Sequence, residues 1–200
     1  MATPDFATHY HLAGRPPFLN LSDLDGEELL VVLAELDELG RRGAHHRPFG
    51  LPYISLRRRT EAVLRERFIA VGVRPERTAP HYFVLGESRW FAGLGRDTDE
   101  VRVPLTSFPA DQTSITFPDS FVAMNLVPHL DDGSGDESWR EQVYRVDQLD
   151  EVIATHGIPN PPGQDAFTDW RTWPAITFIE IQLWCDGPIG PHLAATASPT

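Results

Sequence analysis

The sequence predicts an α+β fold, a single domain on a mostly antiparallel sheet with two N-terminal helices and one later helix. Three observations predict it. Apolar residues recur at helical spacing between Ser22 and Val71, and again between Asp147 and His156. After Pro80 the chain turns to short runs rich in Val, Ile, Thr and aromatic residues, bounded by Pro, Gly and Asp. A length of 200 residues with 41% hydrophobic content suits one domain with a real core. Helices first and strands later give α+β rather than an alternating α/β pattern.

Residues 1–8 and 190–200 read as flexible tails. Tyr10-His11-Leu12 reads as a first strand, ended by Gly14-Arg15-Pro16-Pro17. Ser22 then caps a helix, with Asp25 at the capping-box position. Leu29, Val32, Leu33, Leu36 and Leu39 form its apolar stripe, and Gly40 ends it. The stretch from Arg41 to Phe49 is basic and His-containing, hence a loop. Ser55 opens a second helix that runs to Val71 and stops at Gly72. Its stripe is Leu56, Val63, Leu64 and Phe68, and its other faces carry Arg57, Arg58, Arg59, Arg65 and Arg67. Strands follow at 81–85, 101–105, 113–117 and 142–146, with Pro104 marking an edge or strand end. Residues 128–138 form an acidic, Gly-rich surface loop. Asp147 caps a helix to His156, with Val152 and Ile153 inward and Gly157 as its stop. Residues 158–174 carry four prolines and read as an irregular loop.

Composition removes several chemistries. All 17 basic residues are Arg, so there is no Schiff-base lysine, no phosphate-loop lysine and no lysine general base. A net charge of −12 repels nucleic-acid phosphates and argues against passive nucleic-acid binding. Cys185 is the one cysteine, which excludes an intramolecular disulfide and a multi-Cys zinc site; it reads as a buried filler. The first 20 residues lack a basic start followed by an apolar run, and no apolar stretch approaches the length of a membrane span. The expected location is cytoplasmic.

Familiar catalytic motifs are weak or missing. His9 and His11 would share a strand face, and His45 and His46 are adjacent, but no Asp or Glu spacing completes a ligand set; no metal is expected. Gly86-Glu87-Ser88 lacks the second glycine of a nucleophile elbow, and Gly93-x-Gly95 lacks the third glycine of a nucleotide loop. Glu180 and Asp119 could form a carboxylate pair for glycoside-type chemistry, although spacing does not place them together. The Arg-rich helix reads as a solvated face paired with Glu61 and Glu66, with an anion site as the alternative.

The strongest single feature is Glu180 within the strand-like run Ile176–Trp184. Side chains alternate along a strand, so Phe178, Glu180, Gln182 and Trp184 share one face. A carboxylate and an amide between two aromatics suit the lining of a pocket, because a buried carboxylate is costly without a partner or a task.

Four segments carry a resemblance. Pro80-His81-Tyr82-Phe83-Val84-Leu85-Gly86, the run Thr113–Phe121, the run Val143–Leu149 and Phe178-Ile179-Glu180-Ile181-Gln182-Leu183-Trp184 together resemble a widespread bacterial protein family of unassigned activity. A more distant likeness is to ADP-ribosyltransferases of the DNA-modifying toxin type. Tyr10-His11-Leu12 is similar to their first strand, Thr113-Ser114-Ile115-Thr116 to a middle strand, and Phe178-Ile179-Glu180-Ile181 followed by Asp186-Gly187-Pro188-Ile189 to the late strand with the catalytic Glu. Three departures stand beside it: Ala13 replaces the usual Thr, Glu180-x-Gln182 reverses the usual order, and Phe117 is the nearest aromatic to the middle Tyr. The likeness implies an NAD-dependent ADP-ribosyl transferase or NAD glycohydrolase. Glu180 would be its catalytic carboxylate, and His11, Tyr10, Ser114, Thr116, Gln182, Trp184 and Phe178 would bind a small nucleotide-like ligand. Two other readings stay open. One is a non-catalytic accessory or immunity protein whose acidic loop, with Asp131, Asp132, Asp136 and Glu137, docks a basic protein partner. The other is a small-metabolite biosynthetic enzyme using the same cleft.

Overall fold

The computed structural model describes residues 3–45, 47, 49–88, 91–92, 98–126, 138–159 and 178–196. Six strands form one sheet: β1 (Phe6–Leu12), β2 (His81–Leu85), β3 (Thr98–Pro104), β4 (Thr113–Thr116), β5 (Tyr144–Arg145) and β6 (Glu180–Leu183). Their order is β3-β1-β2-β6-β4-β5, and every pairing is antiparallel. The helices are α1 (Gly26–Arg41), α2 (Leu51–Ala70), a short α3 (Ser120–Ala123), α4 (Leu149–His156) and α5 (Gly190–Thr196). The fold is α+β on an antiparallel sheet, as expected, with α3 and α5 in addition.

The two faces of the sheet have opposite character. Phe83, Leu85, Ile115, Ile181 and Leu183 point to one side and pack with Leu149 and Val152 of α4 and with Ile189 in an apolar core. The other side carries Thr8, Tyr82, Ser114, Thr116, Glu180 and Gln182, with Trp184 just beyond β6. Here α2 covers the sheet, and Leu64 and Phe68 pack against Trp184. The Phe68 and Trp184 rings lie 6.3 Å apart. The alternation expected of residues 178–184 therefore holds: Glu180, Gln182 and Trp184 look toward α2, while Ile181 and Leu183 look into the core.

Several boundaries differ from expectation. β1 starts at Phe6, so residues 6–8 are not a flexible tail; Ala7 and Thr8 are fully buried because β1 lies between β2 and β3. Ser22 does not cap α1. Asn20 caps a turn at Leu21–Asp23, α1 begins at Gly26, and the Ser22 hydroxyl is directed to Glu61. α2 begins at Leu51 rather than Ser55, because Pro52 fits the first helical turn, where its missing N–H costs nothing. Its buried residues are Ile54, Thr60, Glu61, Leu64 and Phe68, so Glu61 lies under the helix and not on a solvated face. α4 begins at Leu149 after a turn at Val146–Gln148, and Asp147 pairs with Arg145 instead of capping. The end of the chain is helical over Gly190–Thr196, where Pro191 suits the first turn and Leu193 packs on the core. Gly72 and Gly157 take positive φ of 93° and 79° where they end α2 and α4, as their positions predict. β3 is an edge strand that ends at Pro104. The expected loops at 128–137 and 160–174, and the start of the last strand at Ile176 and Thr177, lie outside the described residues. Among those described, no helix is long and apolar enough to cross a membrane.

β1 and β2 pair only at Ala7–Leu85 and Thr8–Val84. Beyond them His9 replaces the ladder with its side chain. Its Nδ1 donates to the Tyr82 carbonyl at 2.9 Å, and the Phe18 amide donates to its Nε2 at 3.1 Å. Those two bonds define the neutral tautomer with hydrogen on Nδ1. Burial holds the ring down to about 3 from the usual 6.5, so it stays uncharged.

Candidate active site

A cavity of about 820 Å³ lies between α1, α2 and the polar face of the sheet. Residues of both sheet faces line it, because the separation of β1 from β2 beyond Thr8 opens the sheet there.

Two carboxylates meet on its wall. Asp119 caps α3, with its Oδ1 accepting from the amides of Phe121 at 3.0 Å and Val122 at 3.3 Å. The preceding amide, that of Ser120, donates to Glu180 Oε2 at 2.9 Å. Successive amides of a single turn thus hold the two acids side by side, and both line the cavity. Burial, and then the charge of Glu180, push the Asp119 carboxyl up to about 7. Burial raises Glu180 as well, against hydrogen bonds from Ser120 and Gln182 and the charge of Arg57. Both acids thus hold their protons to higher pH than an ordinary carboxyl, and Asp119 releases its own near neutrality.

Glu180 is held from behind by a closed polar ladder across β4 and β6. Gln182 Nε2 donates to Glu180 Oε2 at 3.2 Å and to Thr116 Oγ1 at 3.0 Å. Ser114 Oγ donates to Gln182 Oε1 at 2.8 Å and accepts from Trp184 Nε1 at 2.8 Å. The register sets these partners, with Ser114 opposite Gln182 and Thr116 opposite Glu180. Gln182, Ser114, Thr116 and Trp184 are fully buried, and none of them lines the cavity. These four brace Glu180 from behind and do not face the cavity. Phe178 and Tyr10 do line the cavity, with Phe91 beside both at ring distances of 5.0 Å and 5.8 Å. His11 also lines it, but from the other side. Thr8 sits opposite Val84 and Val84 opposite Glu180, so His11, an odd number of residues beyond Thr8, projects from the opposite face.

Sequence reasoning missed a buried ionic cluster on α2. Arg57 Nε lies 3.0 Å from Glu61 Oε1, and the two side chains are 16% and 3% exposed. Glu61 Oε1 also accepts from Ser22 Oγ at 2.9 Å and Tyr82 OH at 3.2 Å. Arg57 lies over the Tyr82 ring, 4.4 Å from its centre. The spacing of four between Arg57 and Glu61 was a legible signal for the pair but not for its burial. Two phenols are driven apart here. Burial and then Glu61 hold Tyr82 well above the usual value, whereas for Tyr53 the opposing effect of burial is outweighed by Arg57 and Arg47, which lower it.

No cluster of metal-ligating side chains occurs among the described residues. Cys185 is buried, as expected of a filler. Asp131, Asp132, Asp136 and Glu137 lie outside the described residues. No protein-family model matches the chain, and neither a curated protein nor a solved structure is significantly similar to it.

Proposed function

We propose that this protein cleaves the glycosidic bond of a nucleotide-like ligand, as an NAD glycohydrolase or ADP-ribosyl transferase. The observation that carries the reading is the pairing of Glu180 with Asp119 on the wall of a cavity large enough for a nucleotide. Glycosidic chemistry uses two carboxylates beside an electron-poor sugar, one to stabilise its charge and one to take a proton.

In the proposed step the bond between ribose C1′ and the nicotinamide nitrogen breaks. Its electron pair leaves with the nitrogen, so neutral nicotinamide departs without needing a proton. Positive charge develops on C1′ and the ring oxygen, and the Glu180 carboxylate stabilises it. A water or acceptor hydroxyl then bonds to C1′ and gives its proton to Asp119, which is free to take it above about pH 7. Gln182 and Ser120 position Glu180, while Phe178, Phe91 and Tyr10 offer ring faces for a base. His11 meets the ligand only through the gap between β1 and β2.

The test is incubation with NAD and measurement of free nicotinamide for wild type, Glu180→Gln and Asp119→Asn. Glu180→Gln is expected to lose at least a hundredfold in rate, on the scale of losing one electrostatic stabiliser. Wild-type protein that releases no nicotinamide with water or any offered acceptor would remove the proposal.

A further inference from the structure

The step above leaves one group of cavity residues unused. Arg47, from the loop before α2, and Arg57, on α2, both donate to the phenol oxygen of Tyr53. Arg47 Nη2 does so at 3.2 Å and Arg57 Nη1 at 3.0 Å. Two guanidinium donors fill the lone pairs of that oxygen, so the Tyr53 hydrogen is left to donate outward. Arg57 is otherwise occupied, with Nε on Glu61 and Ser22 and Nη2 on Asn20 Oδ1 at 3.2 Å. Arg47 is different. It forms no ion pair with a described residue, and Nη2 to Tyr53 is the one hydrogen bond its side chain makes among them. Its guanidinium lies over the rings of Phe49 and Phe91, 5.1 Å and 5.7 Å from their centres. Most of its five N–H donors therefore remain for something else, in a site where apolar walls strengthen attraction to a negative charge.

We propose that Arg47, Tyr53 and Arg57 form an oxyanion subsite that receives a phosphate of the ligand, so that the substrate is a phosphorylated nucleoside and not a free one. This deepens the reaction proposed above and rests on it for the identity of the rest of the ligand. The planar guanidinium fork meets phosphate oxygens two at a time. The two rings hold the plane of Arg47 in place without neutralising it. Arg57, fastened by Glu61, orients Tyr53 so that its hydrogen points to the same anion.

Calorimetry on the full chain tests this with inorganic pyrophosphate, ADP-ribose, adenosine and succinate. The proteins are wild type, Arg47→Ala, Arg47→Lys and Tyr53→Phe, each first shown by its melting curve to be folded. Wild type is expected to bind pyrophosphate and ADP-ribose. Arg47→Ala should bind both about tenfold more weakly, the scale of one lost hydrogen bond to a charged group, with adenosine unaffected. Arg47→Lys should fall between them, and Tyr53→Phe should weaken pyrophosphate several-fold. The subsite is overturned if pyrophosphate does not bind wild type, if Arg47→Ala binds it unchanged, or if succinate binds as tightly. The two proposals fail separately. Pyrophosphate binding that depends on Arg47, without nicotinamide release, keeps the subsite and removes the reaction. Nicotinamide release with a KM for NAD unchanged in Arg47→Ala does the reverse.

Discussion

Replacing Arg57 by Met removes a buried positive charge and leaves the Glu61 carboxylate beneath α2. Glu61 is 3% exposed and keeps only the hydroxyls of Ser22 and Tyr82 as donors. Taking away one member of a buried ion pair costs ~3–5 kcal/mol, because the remaining charge has neither water nor a counter-ion. The substitution also releases Tyr53, Asn20 and Ser22, three further hydrogen bonds lost from the same side chain. For a chain of this size about 2–4 °C follows each kcal/mol, so the melting temperature should fall by roughly 10 °C. The decisive comparison is a double-mutant cycle with Glu61→Leu, read by urea unfolding. In Arg57→Met/Glu61→Leu no buried charge is stranded, so the double variant should be more stable than the sum of the two singles by ~2 kcal/mol or more. Two outcomes would refute this reasoning. One is a cost below ~1 kcal/mol for Arg57→Met, which is the behaviour of an exposed pair. The other is additivity within ~0.5 kcal/mol.

Three other perturbations follow from the same geometry. The native protein keeps a proton on Asp119 up to about 7 that the unfolded chain releases near 3.8, so this group subtracts stability as pH rises through that window. Asp119→Asn should make the slope of unfolding free energy against pH more positive there, and an unchanged slope would count against the raised carboxyl. His9 acts with the opposite sign: its native value of about 3 lies below the usual 6.5, so stability is lost as pH falls between them. His9→Gln, which can still bridge Tyr82 and Phe18, should weaken that acid sensitivity; melts at pH 4 and pH 7 that match wild type would contradict the assignment. Gln182→Leu strips partners from Ser114, Thr116 and Glu180 in a fully buried ladder, and should cost ~2–4 kcal/mol in denaturant unfolding. A loss below ~1 kcal/mol would mean that the ladder does not brace Glu180.

What the sequence determined by itself is local and periodic. The alternation in Phe178–Trp184 put Glu180, Gln182 and Trp184 on one face, and the structure keeps them there. Gly72 and Gly157 marked helix ends because glycine takes the positive φ there without a steric penalty, and Pro104 marked a strand end because it has no N–H for the ladder. The tertiary structure alone decided which face meets which partner. Asp119 and Glu180 are far apart in the chain and adjacent in space because the register of β4 on β6 and the turn into α3 bring them together. Whether Arg57 and Glu61 lie in water or beneath a helix depends on how α2 settles on the sheet, and their spacing is the same either way. His9 could have been an ordinary strand residue; it became a wedge because β1 leaves β2 after two pairs. A period of two or 3.6 residues specifies a face. Closing the chain supplies that face with neighbours, and those neighbours decide the burial and the proton affinity of Asp119 and Glu180.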